Sequence, residues 1–200
     1  VFIGLRRTST NSSWRLLLIS IMAFIYVAYT LTSSPRLTLG SSFAFHHGDS
    51  QLLRRLCSGR SRHFFHVAKE CSPLVKFGGV GQILGDIVAQ QVASSKDTCV
   101  TVILPRYGFL IDSRPVGDYS YRRGSRIVRG QIYYQSERGV EFILVGAPST
   151  HPKLWQSKNI KDVYTCPPGM KPRERDLLFS FLASKLIAHQ SASTLLSRGT

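Results

Sequence analysis

The residues with the clearest chemical pattern are Lys76-Phe77-Gly78-Gly79-Val80-Gly81, which lie between an apolar run, Phe64 to Ala68, and a stretch of helical periodicity. Glycine has no Cβ, so the backbone at Gly78 and Gly79 lets a ligand come close, and the free N–H groups at the start of a following helix attract negative oxygens. Lys76 adds a mobile full charge beside them. Together these types and spacings describe an anion site of the kind that takes a phosphate; the plain alternative is a tight turn before a packed helix, with a solvated lysine. Arg106 and Tyr107 follow a second apolar run and read either as ligand contacts or as residues that close the strand end. His66 alternates with core positions and reads as a buried, hydrogen-bonded side chain, and Glu70 as a residue that orients the loop. No Ser-His-Asp order and no paired carboxylates stand out among the 11 acids, so no catalytic residue is assigned. Cys57, Cys71, Cys99 and Cys166 show no CxxC spacing; they read as free thiols of a reducing compartment, with neither a metal site nor a disulfide framework expected.

Elements of a particular kind are needed to hold such a loop. Phe64 to Ala68 reads as a strand. Val80, Ile83, Leu84, Ile87, Val88 and Val92 recur with helical period and predict a helix with that face inward, broken at Ser94-Ser95-Lys96-Asp97. Cys99 to Leu104 is almost wholly apolar, as expected for a strand covered on both faces. Strand, glycine loop, helix and strand make a βαβ unit, which places ligands at the C-terminal ends of its strands. Asp112 to Ser125 reads as a basic loop. Arg126 to Gln135 and Val140 to Val145 read as a hairpin turning at Glu137-Arg138-Gly139. A long loop from Pro148 to Arg173 then leads to a helix over 175–189, with Leu177, Leu178, Phe181, Leu182, Leu186 and Ile187 inward.

The 200 residues hold 43% hydrophobic and 18% charged side chains, values of a globular chain with room for one domain. A net charge of +15 fits nucleic acid, an anionic membrane or an anionic substrate. Up to His63 there are eight Arg, no Lys and one acid, so much of the excess sits in a tail, and no nucleic-acid-binding motif accompanies it. Residues 16–31, LLLISIMAFIYVAYTL, form the longest apolar run, preceded by Arg6, Arg7 and Arg15; a cleaved signal and a signal anchor both fit. From Thr32 to His63 the composition is rich in Ser and Arg and poor in acids, like an organelle transit peptide. Residues 1–63 therefore read as a signal- and transit-like presequence and 64–200 as the folded part. The pair of signals resembles the two-part presequences of proteins entering plastids bounded by extra membranes, with Phe43 first after the cut. Val1 and Thr200 read as the ends of a fragment.

Lys76-Phe77-Gly78-Gly79-Val80, preceded by Glu70-Cys71-Ser72-Pro73 and followed by Leu104-Pro105-Arg106-Tyr107, resembles the opening of the catalytic region of the starch and glycogen synthases, glycosyltransferase family 5. The resemblance runs from about His63 to Val145. It implies an α/β fold, the Rossmann-like N-terminal half of a two-domain GT-B glycosyltransferase, incomplete in these residues. The activity implied is retaining transfer of glucose from ADP-glucose or UDP-glucose to the end of an α-1,4-glucan, with no cofactor or metal. Lys76, Gly78 and Gly79 would contact the nucleotide sugar, and Gln82, Arg106 and Tyr107 are further donor or acceptor contacts. At Gln82 the family usually has Asp, so the charge at that position differs. These residues alone, without the second domain, are expected to be inactive.

The expected partners are a nucleotide sugar and an α-glucan, with a membrane through residues 16–31 if that run is kept, and no nucleic acid. The expected location is a plastid, or alternatively a membrane anchor in the secretory pathway. The rival function is a membrane-anchored, non-catalytic glucan- or anion-binding protein derived from the same fold. A dinucleotide-dependent oxidoreductase is disfavoured, because G-x-G-x-x-G with an acid at the second strand end is absent.

Overall fold

The structure, a computed structural model, describes residues 43–46, 57 and 59–197, with side chains at 46 and 190–197 left aside. Its elements in chain order are β1 (Phe43–His46), β2 (Arg62–Val67), α1 (Gly79–Ser94), β3 (Thr98–Pro105), β4 (Arg114–Arg123), β5 (Arg126–Glu137), β6 (Val140–Val145), a 3-10 turn (Ile160–Asp162) and α2 (Pro172–Ser197). The six strands form one sheet in the order β1-β4-β5-β6-β3-β2. β2, β3 and β6 run parallel, with His63 opposite Cys99 and Ile103 opposite Ile143, while β6, β5, β4 and β1 continue antiparallel. The expected α/β class and the β2-α1-β3 unit are therefore present.

Every residue of β3, TCVTVILP, is buried. Side chains alternate faces along a strand, so the sheet is covered on both sides there, as the unbroken apolar run requires. α1 lies against β3 and β6, and α2 against β2 and β6. Arg138 and Gly139 both have positive φ, 53° and 78°, in the two-residue turn between Glu137 and Val140. That backbone matches the twist of a hairpin and favours glycine at its second position.

Several expectations need correction. Asp112 to Ser125 is not simply a loop: its central part is β4, whose polar sequence, RPVGDYSYRR, hides the alternation because a register shift falls between Pro115 and Gly117. On α1 the inward face is narrower than its periodicity implies. Val88 is buried, but Val80 and Ile83 are 66% and 61% exposed, because the helix turns its glycines toward the preceding loop. On α2 the expected face is inward: Leu182 and Leu186 are buried and Leu178, Phe181 and Ile187 pack against the core, while Arg175, Phe179 and Ala183, which were not expected, are buried with them. Cys57 and Cys99 are joined by a disulfide, where free thiols were expected. Their separation of 42 in sequence hid a pairing that the β2–β3 register brings about. Cys71 and Cys166 are free.

β1 lies within the stretch assigned to the presequence, and it pairs with β4 and sets Phe43 against Tyr119, Tyr121 and Phe181. Residues 16–31 lie outside the described residues. Among the described residues no helix is long and apolar enough to cross a membrane.

Candidate functional site

The loop from β2 to α1 is built around Glu70, which is 2% exposed. Its Oε2 accepts the backbone N–H groups of Phe77 and Gly78, each at 2.9 Å, and its Oε1 accepts the Tyr164 hydroxyl. Burial alone would raise its pKa. The bonds from Tyr164 and from the N–H groups of Gly78, Phe77 and Gly81 outweigh that effect and hold it below the ordinary value. Glu70 is thus an ionised internal anchor at the N-terminus of α1, where negative charge is favoured.

Space around the glycines follows from this anchor. A Cβ at Gly81 would stand 2.7 Å from Glu70 Oε2, so only glycine fits there. A Cβ at Gly79 would meet nothing within 4 Å, and Gly78 would make only ordinary contact, at 3.8 Å from Glu70. Neither Gly78 nor Gly79 needs the left-handed region, so their openness is room beside the backbone rather than a demand of the turn. In the first turn of α1 the N–H groups of Gly79 and Val80 have no intrahelical acceptor. Lys76 is exposed beside them and, among the described residues, has no hydrogen-bond or ion-pair partner.

A second layer fixes the loop from outside, through residues that sequence reading did not single out. Arg175 is buried and donates from Nη1 to the carbonyls of Tyr164, at 2.6 Å, and Thr165, at 3.2 Å, while its Nε donates to Asp176 Oδ1. Asp176 Oδ2 also accepts Lys69 Nζ at 2.6 Å. Tyr164 meets Phe77 edge to face, with ring centroids 5.8 Å apart. Arg175 could have been found: it stands at helical spacing from Phe179, Leu182 and Leu186, so a charge falls on the buried stripe. Tyr164, in a loop, carried no such signal.

The remaining sequence candidates separate. Gln82 donates its amide to Asp86 Oδ1 at 2.7 Å, one turn along α1. Tyr107 is 1% exposed and donates its hydroxyl to the Lys69 carbonyl, tying the end of β3 to the loop after β2. His66 is half-buried with Nε2 at 2.7 Å from Gln91 Oε1, and Cys71 is buried, its thiol pushed up to about 11 by desolvation. Arg106 instead lines a cavity of about 660 Å³ together with Asp118, Arg129, Gln131, Tyr133 and Gln156. Its guanidinium carbon lies 4.8 Å over the Tyr133 ring, and its buried Nε has no partner. Because β2, β3 and β6 are parallel, the Lys76 loop, Arg106 and the Gly146 end of the cavity all follow the C-terminal ends of strands, on one edge of the sheet.

The family described as the starch synthase catalytic domain matches residues 63–192. Granule-bound starch synthase 1, chloroplastic/amyloplastic, of Manihot esculenta is 25% identical over 136 residues, 68% of this chain and 22% of its own length. Soluble starch synthase 2-3, chloroplastic/amyloplastic, of Oryza sativa subsp. indica is 30% identical over 83 residues, 41% of this chain and 10% of its own length. Among solved structures, the catalytic domain of starch synthase IV from Arabidopsis thaliana bound to ADP and acarbose superposes with a TM-score of 0.45 at 18% identity, over 64% of this chain and 26% of that one.

Proposed function

This chain belongs to the starch synthase catalytic domain family, and from that premise we propose that it forms the donor-phosphate side of a glucosyltransferase that moves glucose from a nucleoside diphosphate glucose to the end of an α-1,4-glucan. The chain spans 22% and 10% of the two curated relatives, so the activity, the substrates and the location of the whole protein are part of this proposal. The observation that carries it is the division of labour in the glycine loop. Glu70 takes up the N–H groups of Phe77 and Gly78 and fixes the backbone. Gly79, Val80 and Lys76 are left open at the start of α1.

When the bond from glucose to the diphosphate breaks, negative charge grows on the leaving oxygens. Preorganised N–H groups and a cation aimed at that charge stabilise it without reorganising during the reaction. In this reading Lys76 supplies the cation, the first-turn N–H groups of Gly79 and Val80 supply the dipoles, and Gly78 and Gly79 supply close approach. The Arg106 cavity, with a tyrosine face and polar amides, has the chemistry of a sugar site and is assigned to the glucan acceptor. Tyr107 acts as a support for the loop rather than as a ligand contact. Gln82, paired with Asp86, is a neutral neighbour of the donor.

A plastid location goes with this function, since the matched relatives are chloroplastic/amyloplastic; the two-part presequence over residues 1–63 is the finer form of the proposal. The test of function is glucan elongation by the complete polypeptide with Lys76→Ala. Loss of one such charge-stabilising group lowers turnover by about 100-fold or more. Turnover within twofold of the parent with both ADP-glucose and UDP-glucose would overturn the reading.

A further inference from the structure

The edge of the sheet opposite the glycine loop holds a cluster that the synthase reading does not use. His63, the second residue of β2, stands opposite Cys99, the second of β3, and Cys57 reaches them from the segment before β2. Cys57 Sγ, His63 Nε2 and Cys99 Sγ all lie within 4.8 Å of one another. Nε2 is 3.2 Å from Cys57 Sγ and 2.8 Å from Thr101 Oγ1, and that hydroxyl is 3.8 Å from Cys57 Sγ. Two sulfurs, an imidazole nitrogen and a nearby oxygen thus converge on one point from three different segments.

We propose that this junction is a redox-gated zinc site. When Cys57 and Cys99 are reduced, their sulfurs and His63 Nε2 bind a zinc ion, with the Thr101 hydroxyl or a water completing the shell. When they are oxidised, the disulfide occupies the same sulfurs and excludes the metal. Thiolate and imidazole donors suit zinc, and a tetrahedral zinc with bonds of ~2.3 Å to sulfur and ~2.0 Å to nitrogen holds its ligands roughly 3.5 Å apart. The 3.2 Å from His63 Nε2 to Cys57 Sγ is close to that spacing, and the two sulfurs, bonded to each other in the disulfide, part to reach it once reduced. The Cα atoms of Cys57 and Cys99 are 5.4 Å apart, a separation that serves either a disulfide or a shared metal. The exchange balances as follows: a dithiol reductant gives two electrons and two protons to the Cys57–Cys99 bond and itself becomes a disulfide. The two resulting thiols release their protons as they take up the dication. In both states the segment carrying Cys57 stays fastened to β2 and β3.

Cobalt provides the probe, because tetrahedral cobalt bound to thiolates shows sulfur-to-metal charge-transfer absorption in the near ultraviolet. The full chain is reduced with a phosphine, freed of it without air, and titrated with Co²⁺ and then Zn²⁺, beside an oxidised sample. The expected result is one cobalt per chain with thiolate absorption in the reduced sample, displaced by zinc, and none in the oxidised sample. Cys57→Ser and His63→Ala should abolish or weaken it, Cys166→Ser should leave it unchanged, and Thr101→Val should weaken zinc by about 10- to 100-fold as the neighbouring hydroxyl is lost. Zinc should also raise the thermal midpoint of the reduced parent and not of the oxidised one, a readout that does not depend on the variants folding. Absence of thiolate absorption from the reduced parent, or its loss in Cys166→Ser with retention in Cys57→Ser, would overturn the proposal.

Discussion

At the residue scale, the glycine loop separates residues that serve the fold from those left exposed. Gly81→Ala would press a methyl group against Glu70 Oε2, 2.7 Å away. Overpacking of this kind costs about 1–3 kcal/mol, read as a lower thermal midpoint. Gly79→Ala meets nothing within 4 Å and should leave the midpoint unchanged. Glu70 makes the loop sensitive to acid. Its folded pKa lies below the ordinary 4.5, so the unfolded chain takes up the proton first; the stability it contributes is present above the ordinary value and is lost as pH falls through the lowered one. Tyr164→Phe removes one of the bonds that lower this pKa, so acid unfolding followed by fluorescence should begin at a higher pH than in the parent. The same onset in both proteins would refute the role given to Tyr164. Lys76-x-Gly78-Gly79 reads as an anion site from residue type alone, and that reading stays with the proposal. That Glu70 is an internal anion, and that Gly81 is the sterically required glycine, was not fully legible: both depend on which N–H groups a buried carboxylate reaches.

At the scale of elements, the parallel core was readable and the antiparallel extension was less so. β3 is unbrokenly apolar because it is covered on both faces, and the β5–β6 turn carries its glycine where φ is positive, at 78°. β4 escaped because Arg, Asp and Gly dilute its pattern and a register shift breaks the alternation of period two. Its buried side is marked only by Val116 and the Tyr119 and Tyr121 rings. α2 is tied to the loop by one buried arginine, which donates to the Tyr164 and Thr165 carbonyls. Arg175→Ala would leave those carbonyls without their partner and Asp176 without one of its two cations. A destabilisation of about 1–3 kcal/mol is expected in chemical denaturation, the cost of losing hydrogen bonds from a buried charged group, since Asp176 is 36% exposed and keeps Lys69. Arg175→Lys should recover only part of it, because a single ammonium cannot reach the two carbonyls and Asp176 at once, as Nη1 and Nε do. A loss below about 0.5 kcal/mol, the range of an ordinary surface substitution, would refute that role.

At the scale of the whole molecule, the sheet extends back to Phe43, across the stretch read from composition as a presequence. Composition reports how a segment is addressed and does not exclude that its end joins a sheet. Phe43 meets Tyr119, Tyr121 and Phe181, and Phe43→Ala should cost about 1–3 kcal/mol in thermal or denaturant unfolding. Removal of residues 1–42 keeps β1, whereas removal of residues 1–61 also deletes β1 and Cys57 and should give the less stable of the two shortened chains. Equal stability of the two shortened chains would show that β1 contributes nothing.

The most direct measurement of the central claim is an amide NMR titration of the chain with ADP, following Gly79 and Val80. The N–H groups of these two residues should shift progressively and saturate, while Phe77 and Gly78, already bonded to Glu70, move less. Gly79→Val should abolish the shifts with the fold intact. Unmoved Gly79 and Val80 amides at saturating ADP, or shifts confined to the Arg106 cavity, would contradict the assignment of the Lys76 loop as the diphosphate site.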